Sequence, residues 1–260
     1  MFSVFNRKII EKSLFLLLVF CSVFSNLQAD SSPLKFSIPN IVDTNESYDS
    51  LVIDGSLQES IWNQALEIEL GYEIEPGENI PSNIKTKAYI FEDSEYLYIG
   101  IDAHDPNPKQ IRAYLSPRDK LNLSDFVQIR MDTFNDSRKA YQFQVNAIGV
   151  QGDAIIDETT GKVDSGWDAI WQSAGKLSSK GFQVEIKIPF KSLRFKESQI
   201  EKIWGIQFTR IWHRDVTHIF SSSPKNRSSD CSLCQFKRFT GLKSSHPTNN
   251  LTLILALTVS

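Results

Sequence analysis

Cysteine, histidine and positive charge are all in short supply in this 260-residue chain, and each shortage closes off a class of function. Of three cysteines, Cys21 lies inside an N-terminal apolar run, so Cys231 and Cys234 of SDCSLCQF are what remains for chemistry. A zinc site needs about four ligands, and His213, His218 and His246 stand at no metal-like spacing from that pair. The C-x-x-C therefore reads as a local disulfide or as two idle thiols. A formal charge of −3 gives the chain no pull toward nucleic acid or an anionic membrane. GxSxG, HExxH and Cys–His patterns are missing, and EF-hand spacing is missing too. Glycine and proline, 12 and 10 residues, are not in excess, and a 41% hydrophobic content is enough for a sizeable core. Disorder is excluded for most of the chain.

Long apolar runs are concentrated at the two ends. LFLLLVFCSVF follows Arg7, Lys8 and Lys12 and precedes Leu27-Gln28-Ala29, the pattern of a secretory signal peptide over residues 1–29. It is too short for a spanning helix and ends in small polar residues, so no transmembrane helix is expected after its removal. A lipid anchor on Cys21 fits less well, because Phe20 stands where a small residue is expected. Losing this segment removes three basic residues and one acidic one, moving the charge from −3 to about −5. Export would put the protein in the periplasm, at the outer membrane or outside the cell. N-x-S/T triplets, as at Asn122 and Asn226, matter only in a host that glycosylates what it secretes. Residues 30–50, polar and carrying Pro33 and Pro39, read as a flexible leader.

The body of the chain, 51–242, is a succession of short strand signals. LVID runs to Gly55, and SLQESIWNQAL gives a short helical turn in which Trp62 is a core plug. Gly71 to Asn83 has glycine and proline enough for a loop. IKTKAYIF and YLYIGIDAH flank Glu92-Asp93-Ser94 as a hairpin stopped by DPNP. Ile155 to Asp168 reads as an acidic loop. AIWQSAGKL and GFQVEIKIPF form another hairpin, with Phe182, Val184, Ile186 and Ile188 inward and Gln183, Glu185 and Lys187 outward. In IWGIQFTRIW, Trp204, Ile206 and Phe208 share one side. Strands in such number, with short polar turns and hardly any helix, predict an all-β antiparallel sandwich. LTLILALTVS, the last ten residues, reads as a strand apolar on both faces and so as the start of a further domain over 243–260.

The stretch Pro117 to Asp153 carries the functional signal. DFVQIRMD buries Val127, Ile129 and Met131, and KAYQFQVN buries Tyr141, Phe143 and Val145, so the two make a hairpin with one apolar face. Its other face collects Gln128, Arg130, Gln142, Gln144 and Asn146. Amides present a donor and an acceptor on one plane and guanidinium presents a fork of donors, the chemistry that grips neighbouring hydroxyls of a sugar. A sheet face that is merely wet and amide-rich fits the same pattern.

Ile53-Asp54-Gly55 with Glu59 and Trp62, EYLYIGIDAHDP, SDFVQIRMD, AYQFQVNAIGVQGD, WDAIW, and GFQVEIKIPFKSLRF with IWGIQFTR together resemble a family 9 carbohydrate-binding module. The resemblance covers Val52 to about Leu242. It is nearest to the version that opens large bacterial outer-membrane proteins ahead of a barrel-like domain. It implies a jelly-roll-like β-sandwich that binds glycan chain ends and holds structural calcium, with an oligo- or polysaccharide and an outer-membrane protein as partners. On that resemblance Gln128, Gln144 and Asn146 match ligand-contacting positions, and Arg118, Arg130 and Gln142 complete the ligand set. Gln128 and Gln144 replace an acid and an arginine of sugar-binding members. The two aromatics that clamp the sugar there are absent, since Asn122 stands at the first position and Ser221 to Ser229 has no ring.

For calcium, Asp102 and Asp105 at one strand end and Asp132 beside the hairpin turn are the expected ligands, with His104 and Asp136 nearby. Each also fits an ordinary turn-forming role. An enzyme would need two facing carboxylates, and Asp157, Glu158, Asp164 and Asp168 are sequence neighbours rather than opposed pairs. The expected function is a non-catalytic glycan-binding domain. The alternatives are an adaptor module of an outer-membrane protein and an accessory part of a glycoside hydrolase acting in polysaccharide catabolism.

Overall fold

Period-two alternation turns into two stacked sheets. The computed structural model describes residues 35–41, 51–196 and 201–243, so the expected signal segment and the apolar final ten residues lie outside the described residues. Among the described residues the strands are β1 Lys35–Ser37, β2 Leu66–Glu69, β3 Tyr72–Glu75, β4 Ile80–Pro81, β5 Thr86–Glu92, β6 Tyr96–His104, β7 Phe126–Asp132, β8 Lys139–Asn146, β9 Gln151–Asp157, β10 Lys162–Asp164, β11 Gln172–Ser178, β12 Gly181–Pro189, β13 Trp204–His213, β14 Thr217–Ser221 and β15 Lys237–Thr240. The larger sheet runs β10-β9-β8-β7-β13-β14-β3-β4, with β15 on the start of β13 and β1 beside β15. The smaller runs β11-β12-β6-β5-β2. Pairing is antiparallel except for β1 with β15 and the Asn40–Glu92 bridge.

The core lies between the sheets. Val127, Ile129, Met131, Phe143, Val145, Ile206 and Phe208 from the larger sheet meet Ala88, Ile90, Ile99, Ile101, Val184, Ile186 and Ile188 from the smaller. The apolar rows of the sequence are those that pack. Tyr141 is the exception, partly buried against Trp167 at 4.9 Å between ring centres.

Three stretches differ from expectation. Gly71 to Asn83 is a short hairpin, β3 with β4, because its glycine and prolines fall in the turn and at the strand edge. Much of Ile155 to Asp168 is sheet, β9 continuing into β10, with the acids at the strand ends. Lys35 to Ile41 does not behave as leader: β1 pairs with β15, Ile38 is buried, and Asn40 donates to Glu92 at 3.0 Å.

The outer side of the smaller sheet is covered by residues 51–65. Trp62 packs edge-on to Phe91 at 5.2 Å, and Phe91 stacks on Tyr98 at 4.7 Å. Gly100 makes room, since a β-carbon there would stand 3.0 Å from the Trp62 ring. Glu185 faces outward, as its alternation predicts, and is buried by this cover: it accepts from Asp54 N and Gly55 N at 2.8 Å and from Trp62 Nε1 at 3.1 Å. Burial raises its pKa above the ordinary carboxylate value, against those three donors.

A buried ion cluster ties the sheets together at one end. Arg210 of β13 reaches Asp105 at 3.1 Å, the carbonyl of His104 at 2.6 Å and Thr86 Oγ1 at 3.1 Å. Arg214 holds Asp105 at 2.6 Å and Asp125 at 2.8 Å, and Trp212 Nε1 donates to Asp105 at 2.8 Å. Burial brings the Arg210 pKa down to about 10, with Asp105 the main opposing influence. Asp105→Ala should therefore lower stability by about 3–5 kcal/mol, because Arg210 is left charged in the interior. Urea unfolding would read this as a fall in midpoint at unchanged slope; a loss under about 1 kcal/mol would show that the cluster is not a clamp.

Candidate functional site

Strand register sets the site. Gln144, Gln128 and Thr209 form one row across β8, β7 and β13, and Gln142, Arg130 and Gln207 form the next. All six point away from the core, because their sequence neighbours Ile129, Phe143 and Phe208 point into it. The rows are internally bonded. Gln144 Nε2 donates to Gln128 Oε1 at 2.8 Å, Gln128 Nε2 to Thr209 Oγ1 at 3.3 Å, and Arg130 Nε to Gln142 Oε1 at 3.0 Å. Gln207 Nε2 reaches Ser221 Oγ at 3.3 Å. These bonds orient each side chain and leave Gln144 Oε1, Gln142 Nε2, Gln207 Oε1 and the terminal nitrogens of Arg130 for a guest.

This floor is recessed. Gln128 and Gln142 are each 7% exposed, while Arg130 and Gln144 are half-buried. A cleft of about 520 Å³ opens over Gln128, Arg130, Gln207 and Thr209. Ile74, Ile211 and Ile219 give it aliphatic walls, and the segment from Lys225 to Gln235 forms the rest. That segment is stitched in place. Cys231 and Cys234 form a disulfide, Asn226 N donates to Gln235 Oε1 at 2.7 Å, and Leu233 and Phe236 pack on Ala140 of the outer face. Lys225 bridges Glu75 at 2.6 Å, and Arg227 donates to the carbonyl of Ile74. Leu121, Phe126 and Ile211 close the sheet at the other end. Burial holds the Arg130 pKa below its ordinary value, with the Glu158 carboxylate the opposing charge.

The other expected ligand residues lie elsewhere. Asn146 is on the same face, but its side chain is fully buried and spent on the β8–β9 turn. It accepts from Ile148 N at 3.1 Å and Val150 N at 2.9 Å and donates to the carbonyl of Tyr114 at 2.9 Å. Arg118 is off the amide face. It forks onto Asp153, whose strand position matches core-facing Phe143, at 3.0 and 2.8 Å, and reaches Gln151 at 2.6 Å. Gln207 and Thr209 were missed, although the alternation that put Phe208 inward puts them outward. Lys225, Arg227 and Gln235 carry no local sequence signal beyond the nearby C-x-x-C.

The expected calcium ligands do not converge. Asp105 is consumed by Arg210, Arg214 and Trp212, Asp102 is exposed and receives Gln183 at 3.4 Å, and Asp132 belongs to the other sheet. Asp132 is buried and accepts from Ser137 N at 2.8 Å, and burial raises its pKa. Among the described residues, Asp119, Asp153 and Asp168 do bring their oxygens within 4.8 Å of one another, but Arg118 already supplies the positive charge there. As for the enzyme candidates, Asp157 is bound by Thr159, which draws its pKa to about 2, and Glu158 accepts from Ser232 N. Neither these two nor Asp164 or Asp168 lines the cleft. A second cavity of about 500 Å³, beside Phe134, Tyr141, Ile155 and Arg194, has more apolar lining and no converging amides.

The comparisons decide the family. The profile described as "Carbohydrate family 9 binding domain-like" matches residues 53–217. The chain belongs to this family. Its sandwich also matches a carbohydrate-binding module family 9 from Caldicellulosiruptor kristjanssonii in complex with cellotriose, at 17% identity and TM-score 0.52, over 86% of this chain and 100% of that one. The same module with glucose matches at 17% identity and TM-score 0.54, over 85% and 100%. A Bacteroides uniformis ATCC 8492 protein provisionally assigned to carbohydrate binding matches at 13% and TM-score 0.59, over 80% and 99%. At these identities the likeness is one of fold. Endo-1,4-beta-xylanase C of Paenibacillus barcinonensis is 26% identical over 153 residues, 58% of this chain but 13% of that enzyme. Among the described residues no aromatic side chain lines this family member's cleft, and three isoleucines form its apolar walls.

The placement of Asn146 separates two roles that the sequence merges. Asn146→Ala should cost about 1–3 kcal/mol of stability through unpaired turn amides, while Gln144→Ala should leave the melting temperature within a degree or two. Thermal denaturation of both variants checks this, and equal melting temperatures would return Asn146 to the ligand set.

Proposed function

We propose that this protein is a non-catalytic, exported glycan-binding module whose ligand lies in the cleft over Gln128, Arg130, Gln207 and Thr209, with Gln144 one strand further along the same row. The observation that carries the reading is the join of a pre-oriented amide floor to aliphatic walls. Hydroxyls of a sugar find donors and acceptors below, and its C–H faces find Ile74, Ile211 and Ile219 beside them. The family match and the saccharide complexes of the Caldicellulosiruptor module support the choice of ligand. The xylanase relative supports an accessory role in polysaccharide catabolism, the module holding substrate while chemistry is done elsewhere. With isoleucine in place of ring stacking, binding is expected to be weak and to depend on the polar floor.

Isothermal titration against cello- and xylo-oligosaccharides tests the reading. Gln144→Ala and Gln207→Ala should each weaken binding roughly 3–10-fold, the worth of a hydrogen bond of about 0.5–1.5 kcal/mol. Reducing-sugar release from a polysaccharide panel should stay at background. Capture of an outer-membrane protein with no saccharide binding by either variant or parent would favour the adaptor alternative instead.

A further inference from the structure

Arg118, Arg210 and Arg214 each hold an aspartate at 2.6–3.1 Å, so their charge is answered within the protein. Arg130 is treated differently. It is half-buried on the cleft floor, its Nε is spent on the neutral amide of Gln142, and no carboxylate is paired with it among the described residues. Glu158, whose carboxylate opposes that charge, makes no ion pair with it and accepts from Ser232 N. Both terminal nitrogens of Arg130 therefore have no side-chain or backbone partner among the described residues, which leaves a guanidinium fork on the cleft floor for a guest anion.

Charges around the rim do not fill that role. Glu75 is bridged to Lys225 at 2.6 Å. Arg227 binds carbonyls of Ile74 and Gly77 and adds a second unpaired positive charge. Asp230 is exposed on the rim and is the one free acid of the lining. A guanidinium presents a planar fork that suits a carboxylate bidentately. On either side of it lie Gln142 and Gln207, and Gln128 and Thr209 stand one row along, at spacings of about 4.8 Å between strands. An anion alone would leave those amides and the isoleucine walls without a partner.

We propose that the sugar seated in this cleft carries a carboxylate, so that the natural ligand is a glycan with uronic acid residues and Arg130 selects for it. The inference rests on the glycan-binding reading and narrows it. Carboxylate to Arg130, hydroxyls to Gln128, Gln207 and Thr209, and ring C–H groups to Ile211 and Ile219 use the floor and the aliphatic walls together.

The test is titration calorimetry with four probes: glucose, glucuronic acid, methyl glucuronate (the uncharged ester) and acetate, repeated with the corresponding oligosaccharides. Glucuronate should bind at least about 10-fold tighter than glucose, as expected of a charge-assisted hydrogen bond pair. That preference should vanish in the ester, shrink in high salt, and fall toward unity in Arg130→Gln. Arg130→Lys, which keeps the charge but loses the fork, should recover only part of it. The ester comparison requires no variant, so misfolding of a mutant cannot obscure the answer. Glucose and glucuronate binding alike would overturn this inference and leave the glycan cleft standing. Acetate binding as tightly as glucuronate would overturn it in favour of a bare anion site. No binding by any sugar probe would overturn both this inference and the reading beneath it.

Discussion

Three adjacent strands, β8, β7 and β13, are locked in a register that lines up Phe143, Ile129 and Phe208 on one side of the sheet. The same register lines up Gln144, Gln128 and Thr209 on the other. A side-chain period of two means that a slip of one residue would bury the amides and expose the rings. Burial of that apolar row, worth about 25 cal/mol per Å² of apolar surface removed from water, is therefore what fixes the polar row. The cleft owes its geometry to the core behind it. Because the side chains stand on a paired sheet rather than a loop, their positions are set before any ligand arrives.

The distribution of buried carboxylates follows from the same economy. Asp105 answers Arg210 and Arg214, Asp153 answers Arg118, and Glu185 collects the turn amides of Asp54 and Gly55. Each of these acids serves the fold: two join strands to loops, and one fastens the 51–65 cover. None of them lines the cleft, where Arg130 is left without an acid. The calcium ligands expected from Asp102, Asp105 and Asp132 are dispersed by this arrangement, since a carboxylate already holding two arginines has little left for a cation.

Much of this architecture was legible in the chain. The central hairpin, the hairpin around Asp93 and the pairing of GFQVEIKIPF were all readable, because each strand turns one unbroken apolar row to the core and adjoins a polar turn. Residues whose role depends on distant partners were not. Nothing around Asn146 announces that its amide is spent on a turn and on Tyr114, 32 residues away. Arg118 looks as exposed in sequence as Arg130, and only the fold sets Asp153 beneath it. Gly71 to Asn83 read as loop because turn residues dominate it, although two- and four-residue strands need little sequence to form once β14 offers an edge. The wall from Lys225 to Gln235 was visible only as a C-x-x-C, since loops are shaped by what they pack against.

The central claim is that the amide rows of β7, β8 and β13 are the surface that meets saccharide. Side-chain nitrogen–proton NMR spectra of the labelled protein, titrated with its tightest-binding oligosaccharide, test that claim most directly. The account predicts saturable shifts confined to the amide groups of Gln128, Gln142, Gln144 and Gln207 and the guanidinium of Arg130, with Asn146 and Arg118 unmoved. Shifts that gathered instead around Phe134, Tyr141 and Arg194, with the amide rows silent, would contradict it.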